Sequence, residues 1–481
     1  MEVSYLKNTV ANGVFWKLLE RFGVQGVQFA LQVVLARLLS PDDYGVLSMM
    51  IIFTLFANVF IQNGFNTALI QNKDVTEEDY SSTLWIVLGF AFVIYIILFF
   101  LAPTIAGFYN MPSIVKPFRV LCLMIIPGAW NSIQLAKVSR ELDFRKVFFS
   151  NILAVSMSGV LGIVFALKGY GVWALVVQNL ANTIIACLVM FVTVKWRPII
   201  VINVARIKIL FSFGWKILAA NLLDMLYQDL SSLVIGKKYS SGMLGYYNRG
   251  KQFPQFINNS VNGAVQSVML PAMSAKQQNV DDLKSTMRFS IRVSAYIVFP
   301  VMAGLIAAAK PLITMLLTEK WLPCVPYMQI FCVALAVYPI HSCNLQAYNA
   351  LGKSDIYLKL EIIKKGCGIV FLFCSVLFFD SIIMIAWSVV ATSYLSFIIN
   401  AIPNNKVLHY SYMEQLGDVV PAAVMSIIMG FLIIQVLKLG LGDISTIMIQ
   451  IVVGIVIYII LSLITNNGEL KMIFSMIRKD A

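Results

Sequence analysis

The chain has 481 residues, of which 59% are apolar and only 12% charged, with a mean hydropathy of +0.83. Composition this apolar lies outside the range of soluble domains and excludes a protein folded mainly in water. The formal charge of +13 raises nucleic acid as a partner. However, Lys and Arg are spread over short connections with no dense basic run, so no nucleic-acid partner is expected and the charge reads as membrane topology.

The amino terminus, MEVSYLKNTVANGVFWKLLERFG, lacks a basic segment followed by an apolar core and a small-residue cleavage site. No signal peptide is therefore expected, and the first helix should persist. A spanning helix takes roughly 20 apolar residues and must hydrogen-bond its own backbone. Uncharged runs of that kind recur at 84–103, 147–167, 169–194 and 444–465. They predict an all-α polytopic membrane protein of about fourteen transmembrane segments. These lie near 14–39, 45–70, 81–106, 117–137, 146–167, 170–194, 209–236, 250–274, 289–317, 323–350, 355–379, 381–402, 416–437 and 444–465. The longest connections, 195–208 and 275–288, hold at most a brief interfacial helix, which leaves no room for an extramembrane enzyme domain.

With the amino terminus inside, Lys and Arg on the inner loops outnumber those on the outer loops by about two to one, placing both termini in the cytoplasm. One outer connection breaks the trend with Lys237, Lys238, Arg249 and Lys251.

The chain also repeats itself. Trp16-Lys17 precedes Gly45 by the same interval, within one residue, as Trp215-Lys216 precedes Gly245. Pro103 and Pro117 precede Gln134 and Asp143 as Pro311 and Pro326 precede Gln346 and Asp355. Six segments per repeat is an even number, so the repeats are related by an axis along the membrane normal. The expected organisation is an N-lobe (1–205) and a pseudo-symmetric C-lobe (206–410) around a central cavity, with a carboxy-terminal helix pair (411–481).

Polar groups are costly in lipid, so their positions show what each helix faces. Segment 1 carries Lys17, Arg21, Gln25, Gln28 and Gln32 along one helical face, and segment 2 carries Asn58, Gln62 and Asn66. Segment 7 carries Asn221, Asp224 and Gln228 behind Lys216, and segment 8 carries Gln255, Asn259, Asn262 and Gln266. Single amides can glue packed transmembrane helices together. Four stripes on the equivalent first two helices of each repeat point instead to a water-filled lining. Amides both donate and accept, so such a lining suits sugar hydroxyl and acetamido groups.

Lys17, Arg21 and Lys216 could hold phosphate oxygens or snorkel to the interface. Glu20 and Asp224 could neutralise those cations or carry a coupling ion. Arg249 and Lys251 could attract an acidic sugar or diphosphate, or meet anionic lipid head groups. His341 and Asn344 are weaker candidates, since a lone His in a helix is usually a packing residue. The seven Cys residues form no CxxC pair and, with only two distant His residues, supply no metal ligand set. Neither a metal nor another cofactor is expected.

Four segments carry a family resemblance: LARLLSPDDYGVLS (Leu35 to Ser48), SRELDFRK (Ser139 to Lys146), GYGVWALV (Gly169 to Val176) and LGYYNRG (Leu244 to Gly250). Together they resemble the polysaccharide transporter family of the multidrug/oligosaccharidyl-lipid/polysaccharide exporter superfamily, in particular its Wzx-type, WzxC-like branch. The resemblance covers essentially the whole chain. It implies a two-lobed fold whose cavity is lined mainly by segments 1, 2, 7 and 8. It also implies an undecaprenyl-diphosphate-linked oligosaccharide flipped from the cytoplasmic to the outer leaflet of the inner membrane by alternating access, with an ion gradient as energy source. Glycosyltransferase and polymerase components of a glycan pathway would be partners. A drug or cation exporter of the same superfamily and a peptidoglycan-precursor flippase are the nearest alternatives. A membrane glycosyltransferase, polymerase or ligase would need a sizeable outer loop, which the chain lacks.

Overall fold

The computed structural model describes residues 15–17, 19–62, 66, 69–70, 75–201, 203–276, 279–465 and 469–470. Regular structure among them is entirely helical. A π-helical turn, Glu20–Val24, leads into α1 (Gln25–Leu38), followed by α2 (Pro41–Gln62), α3 (Glu77–Phe108), α4 (Val115–Cys122) and α5 (Ile125–Glu141). Next come α6 (Phe144–Leu167), α7 (Val172–Thr193), α8 (Val204–Lys238), α9 (Ser241–Ala275) and α10 (Val280–Leu317). Then come α11 (Val325–Ala336), α12 (Tyr338–Ala350), α13 (Ser354–Phe378), α14 (Ile382–Ala401), a single helical turn (Asn404–Val407), α15 (Tyr412–Ile434) and α16 (Asp443–Ile464).

Among the described residues, 10 helical stretches are long and apolar enough to cross a membrane. The positions of the other four expected segments are occupied by α1, α8, α9 and α13. The first three carry polar stripes, and α13 opens with Lys359, Glu361, Lys364 and Lys365. Large apolar side chains such as Phe100, Val192, Phe378, Ile427 and Ile464 lie exposed. In water such surfaces would drive association, whereas in a bilayer they are the solvated face.

Several helices begin earlier than their apolar runs because polar residues cap them outside the hydrocarbon. Thr76 and Asp79 form a capping box at α3, and Ser411 and Glu414 form another at α15. Asn279 accepts from the Asp281 and Asp282 N–H groups at the start of α10. The connection expected at 275–288 is accordingly mostly helix. Likewise α9 starts at Ser241 rather than near residue 250, leaving Tyr239 and Ser240 between it and α8.

Segments 4 and 10 are each broken in two, which the apolar pattern did not reveal. Both follow a 3₁₀ turn (Pro112–Ile114 and Glu319–Cys324), and both resume with a proline in the first turn, Pro127 in α5 and Pro339 in α12. A proline has no N–H and its ring clashes with the carbonyl four residues back, so it suits the first turn of a restarting helix, although Pro103 in α3 and Pro300 and Pro311 in α10 stand within continuous helix. Pro127 stands as far before Gln134 as Pro339 stands before Gln346, so the break recurs with the repeat.

The chain divides into two compact units, 1–245 and 246–481. Within the first unit α8 packs on α2 and α3. In that unit α6 packs along α7 and α1, and α3 along α5. In the second unit α10 is the hub, packing on α11, α12, α15 and α16, so the carboxy-terminal helix pair joins this unit. Arg288 pairs with Asp418 at 2.7 Å and Lys284 with Glu414 at 3.2 Å, tying α10 to α15.

A buried amide cluster locks the second unit. Asn344 Nδ2 donates to Gln415 Oε1 at 3.1 Å, Asn404 Nδ2 donates to Asn344 Oδ1, and Tyr348 OH donates to the Asn400 carbonyl at 2.8 Å. In a dry core each such bond is worth most as the avoidance of an orphaned donor. Gln415→Leu should therefore cost about 1–3 kcal/mol by leaving one Asn344 amide proton without an acceptor, the other keeping the Ile340 carbonyl at 3.3 Å. The check is a lowered thermal unfolding midpoint in detergent.

Candidate functional site

A polar concavity lies between α2 and α8, both of them in the first unit. It encloses about 370 Å³ and is lined by Leu55, Asn58 and Val59 from α2 and by Asn221, Asp224, Met225, Gln228 and Asp229 from α8. Helical geometry explains the grouping: Asn221, Asp224 and Gln228 are spaced three and four apart and so share one face. Within the cavity Gln228 Nε2 donates to Asp224 Oδ2 at 2.6 Å. The fold thus unites Asn58, Asn221, Asp224 and Gln228, four residues singled out in the sequence. It adds Asp229, which the stripe reading missed. The available signal was a second carboxylate, five residues beyond Asp224, in a largely apolar helix.

Chemically the lining offers amides that donate and accept and carboxylates that accept or take up a cation. Two carboxylates make it a poor seat for a diphosphate and a good one for hydroxyl donors or a cation.

The stripe on α1 and its lead-in turn is arranged differently. Lys17 Nζ reaches Glu20 Oε2 at 2.6 Å, and Asn151 Nδ2 of α6 donates to Glu20 Oε1 at 3.0 Å. Glu20 is therefore a hub that partly neutralises Lys17 and ties the π-helical turn to α6. Gln25 and Gln28 are exposed, and Gln32 is half-buried. Beyond the described end of α2, Asn66 is half-buried, and its side-chain oxygen has no partner among the described residues. The side chains of Arg21, Gln62 and Lys216 lie outside the described residues.

In the second unit the stripe of α9 is mixed. Gln255 and Asn262 are half-buried and Asn259 is exposed. Gln266 Nε2 donates to Ser342 Oγ of α12 at 2.8 Å, a helix-to-helix contact of the glue type. Arg249 is buried; its Nη1 donates to Gln252 Oε1 at 2.5 Å, and its guanidinium lies 5.1 Å from the ring centre of Trp321. Lys251 beside it is half-buried. His341 is buried against Tyr338, with ring centres 4.6 Å apart, and Asn344 belongs to the amide cluster. Both therefore serve packing in this fold.

A second concavity, about 450 Å³, lies in the first unit at the ends of α3, α5 and α7, among Glu77, Lys137, Glu141, Lys146 and 193–197. Two of its lysines are matched: Lys137 pairs with Glu77, and Lys146 pairs with Asp143 at 2.9 Å. Among the described residues no group of His, Cys, Asp and Glu could hold a metal, and the cysteines are free thiols.

The fold has solved counterparts. A lipid II flippase, MurJ, in an inward closed conformation superposes with a TM-score of 0.78 at 15% identity, covering 94% of this chain and 98% of that one. An inward-facing multidrug resistance transporter of the MATE family gives a TM-score of 0.58 at 15% identity, covering 89% and 99%. In sequence, the chain is 21% identical to the succinoglycan biosynthesis transport protein ExoT of Rhizobium meliloti over 74% of this chain and 72% of the relative. It is 24% identical to the teichuronic acid biosynthesis protein TuaB of Bacillus subtilis, over 78% and 77%. With the lipopolysaccharide biosynthesis protein WzxC of Escherichia coli the identity is 21%, over 75% and 73%. The resemblance read from the four sequence segments is thereby borne out. The profile of the family described as "Polysaccharide biosynthesis protein" matches residues 34–326. A match over more than half of a chain whose described residues include 10 membrane-competent helices shows a multi-pass membrane protein that belongs to the polysaccharide biosynthesis protein family.

Proposed function

We propose that the protein is a flippase that carries an undecaprenyl-diphosphate-linked oligosaccharide from the cytoplasmic to the outer leaflet of a bacterial inner membrane. Both termini are cytoplasmic in this reading, and the glycan serves lipopolysaccharide, capsule or exopolysaccharide assembly. The observation that carries it is the cavity of amides and carboxylates between α2 and α8, in a chain of this family. A glycan's hydroxyls and a diphosphate's charges would each lose several kcal/mol or more of hydration in bare hydrocarbon. A polar lining lowers that barrier by replacing water's hydrogen bonds.

The volume refines the reading. About 370 Å³ is at the small end of ligand pockets, so this cavity is one sugar subsite rather than the whole binding surface. We assign the remaining contacts to the stripes of α1, α2 and α9. Because Asp224 and Asp229 repel phosphate, the diphosphate belongs with Lys17 and Arg21, which precede α1, and with Lys216 in the cytoplasmic half of α8. The polyprenyl tail stays in lipid while the head group crosses by alternating access. The repeats supply two pseudo-symmetric six-segment lobes for that motion. Polymerase and glycosyltransferase components of the same pathway are the expected partners, and the protein acts as a transporter rather than an enzyme.

One observation favours a second reading. Two carboxylates in the cavity lining also suit an organic cation, as in a drug exporter of the same superfamily. A peptidoglycan-precursor carrier remains the closest variant of the first reading.

Two outcomes are expected. Replacing Lys17 and Arg21 together by Ala should abolish complementation of a flippase-deficient strain without loss of membrane insertion. Normal glycan export by that variant, or efflux of a cationic dye by the wild type with no export, would overturn the assignment. If Asp224 carries the coupling ion, Asp224→Asn should remove the dependence of translocation on an imposed proton or sodium gradient. Undiminished gradient dependence would assign coupling elsewhere.

A further inference from the structure

The segment SRELDFRK plays no part in the cavity of α2 and α8. It stands at the second concavity of the first unit, where the chain turns tightly from α5 into α6. Leu142 takes a left-handed φ of 57°, which stops α5 at Glu141 and lets α6 begin at Phe144. Glu141 and Lys146 thereby line the same space of about 450 Å³.

Another wall of that space is the connection between α7 and α8. It runs without regular structure over 194–201, so its backbone groups need partners from elsewhere. Helix α3 provides them. Ser81 Oγ accepts from the Ile199 N–H at 3.1 Å, and Trp85 Nε1 donates to the Ile199 carbonyl at 2.9 Å. Ser82 Oγ donates to the Val201 carbonyl and accepts from the Asn203 N–H, both at 3.1 Å. Both serines are buried. This clamp holds Lys195, Trp196 and Arg197 along the concavity.

The charges of the lining then divide into paired and unpaired. Lys137 and Lys146 are held by Glu77 and Asp143. Arg197 Nη1 donates to the Phe191, Val194 and Trp196 carbonyls at 3.0, 3.1 and 3.0 Å, capping α7. Neither Arg197 nor the exposed Lys195 pairs with a carboxylate among the described residues. Glu141, also exposed, pairs with no cation among them. Trp196 is buried, and its indole N–H has no acceptor among the described residues. Beside this lining Val192 and Ile200 expose apolar surface at the end of a membrane-competent helix.

We propose that the concavity binds the phosphoethanolamine head group of a membrane phospholipid, with its phosphate on Lys195 and Arg197, its ammonium on Glu141 and its acyl chains along Val192 and Ile200. Charge-assisted hydrogen bonds join the phosphate to the two cations and the ammonium to the carboxylate. An incoming phosphate or ester oxygen also supplies the acceptor that the Trp196 indole lacks. A purely anionic head group leaves Glu141 without a partner, and a choline head group offers that carboxylate no N–H. The bound lipid braces the connection between α7 and α8. Its placement in the cytoplasmic leaflet rests on the topology proposed above.

The test is native mass spectrometry of the full chain in detergent, titrated with the dioleoyl forms of phosphatidylethanolamine, phosphatidylglycerol and phosphatidylcholine. The wild type should retain the first at roughly tenfold lower concentration than the other two. Glu141→Gln should erase that preference, and Lys195→Gln should weaken retention of phosphatidylethanolamine and phosphatidylglycerol alike. Lys195→Gln serves in place of a change at Arg197, whose loss would uncap α7. Equal retention of the three lipids by the wild type, or a preference that Glu141→Gln leaves intact, would overturn the site. Tighter retention of undecaprenyl diphosphate, lost in Lys195→Gln, would also overturn it by giving the concavity to the transported lipid. Selective retention of phosphatidylethanolamine by a protein that never moves lipid-linked oligosaccharide would uphold the site and refute the flippase reading.

Discussion

The cost of placing polar groups in hydrocarbon governs this molecule. Every backbone group in the hydrocarbon must be satisfied inside its own segment, so the regular structure among the described residues is entirely helical. Every side-chain amide or charge must find a partner, an interface or water. Where those groups go therefore separates lipid-facing surface, glue and site. Exposed Phe100 and Val192 belong to the first class. The Asn344–Gln415 pair belongs to the second, and the Asn58, Asn221, Asp224 and Gln228 group to the third.

Two kinds of polar contact thus coexist and do different things. Asn344, Asn404 and Gln415 are buried and bonded to one another, which fixes one arrangement of α12 and α15. The cavity residues of α2 and α8 instead border open volume. Glu20 sits between these cases, holding Lys17 on one side and Asn151 on the other, so the start of the first helix is braced where the cationic group begins. A π-helical turn at this place is in keeping with a functional one, since such bulges concentrate at sites.

Much of the fold could be read from apolar run length alone, because a bilayer enforces that length. Segments such as 146–167 and 444–465 coincide with α6 and α16 almost to the residue. The breaks before α5 and α12 escaped notice because hydropathy is blind to Pro127 and Pro339, whose effect is a steric clash with a carbonyl one turn back. The early start of α9 escaped because Ser240-Ser241-Gly242 has the composition of a turn, while its actual role is a close crossing with α2 at Gly45. Of the site, the face shared by Asn221, Asp224 and Gln228 was legible from spacing. Asp229 was not, since it falls one residue off that face. Nor does spacing reveal that Arg249 turns into the protein against Trp321, or that Gln266 spends its amide on Ser342. Periodicity gives the face of a helix, and tertiary packing decides what that face meets.

The account stands on the cavity of α2 and α8 being wet and being occupied by the glycan. Single cysteines at Asn58, Asn221 and Gln228, with Phe100→Cys and Val192→Cys as lipid-facing controls, would be titrated with a water-soluble thiol reagent in proteoliposomes, with and without purified lipid-linked oligosaccharide. The account predicts fast reaction at the three cavity positions, slow reaction at the controls, and protection of the cavity positions by the oligosaccharide. Unreactive cavity cysteines, or reactive ones that the oligosaccharide leaves unprotected, would contradict it.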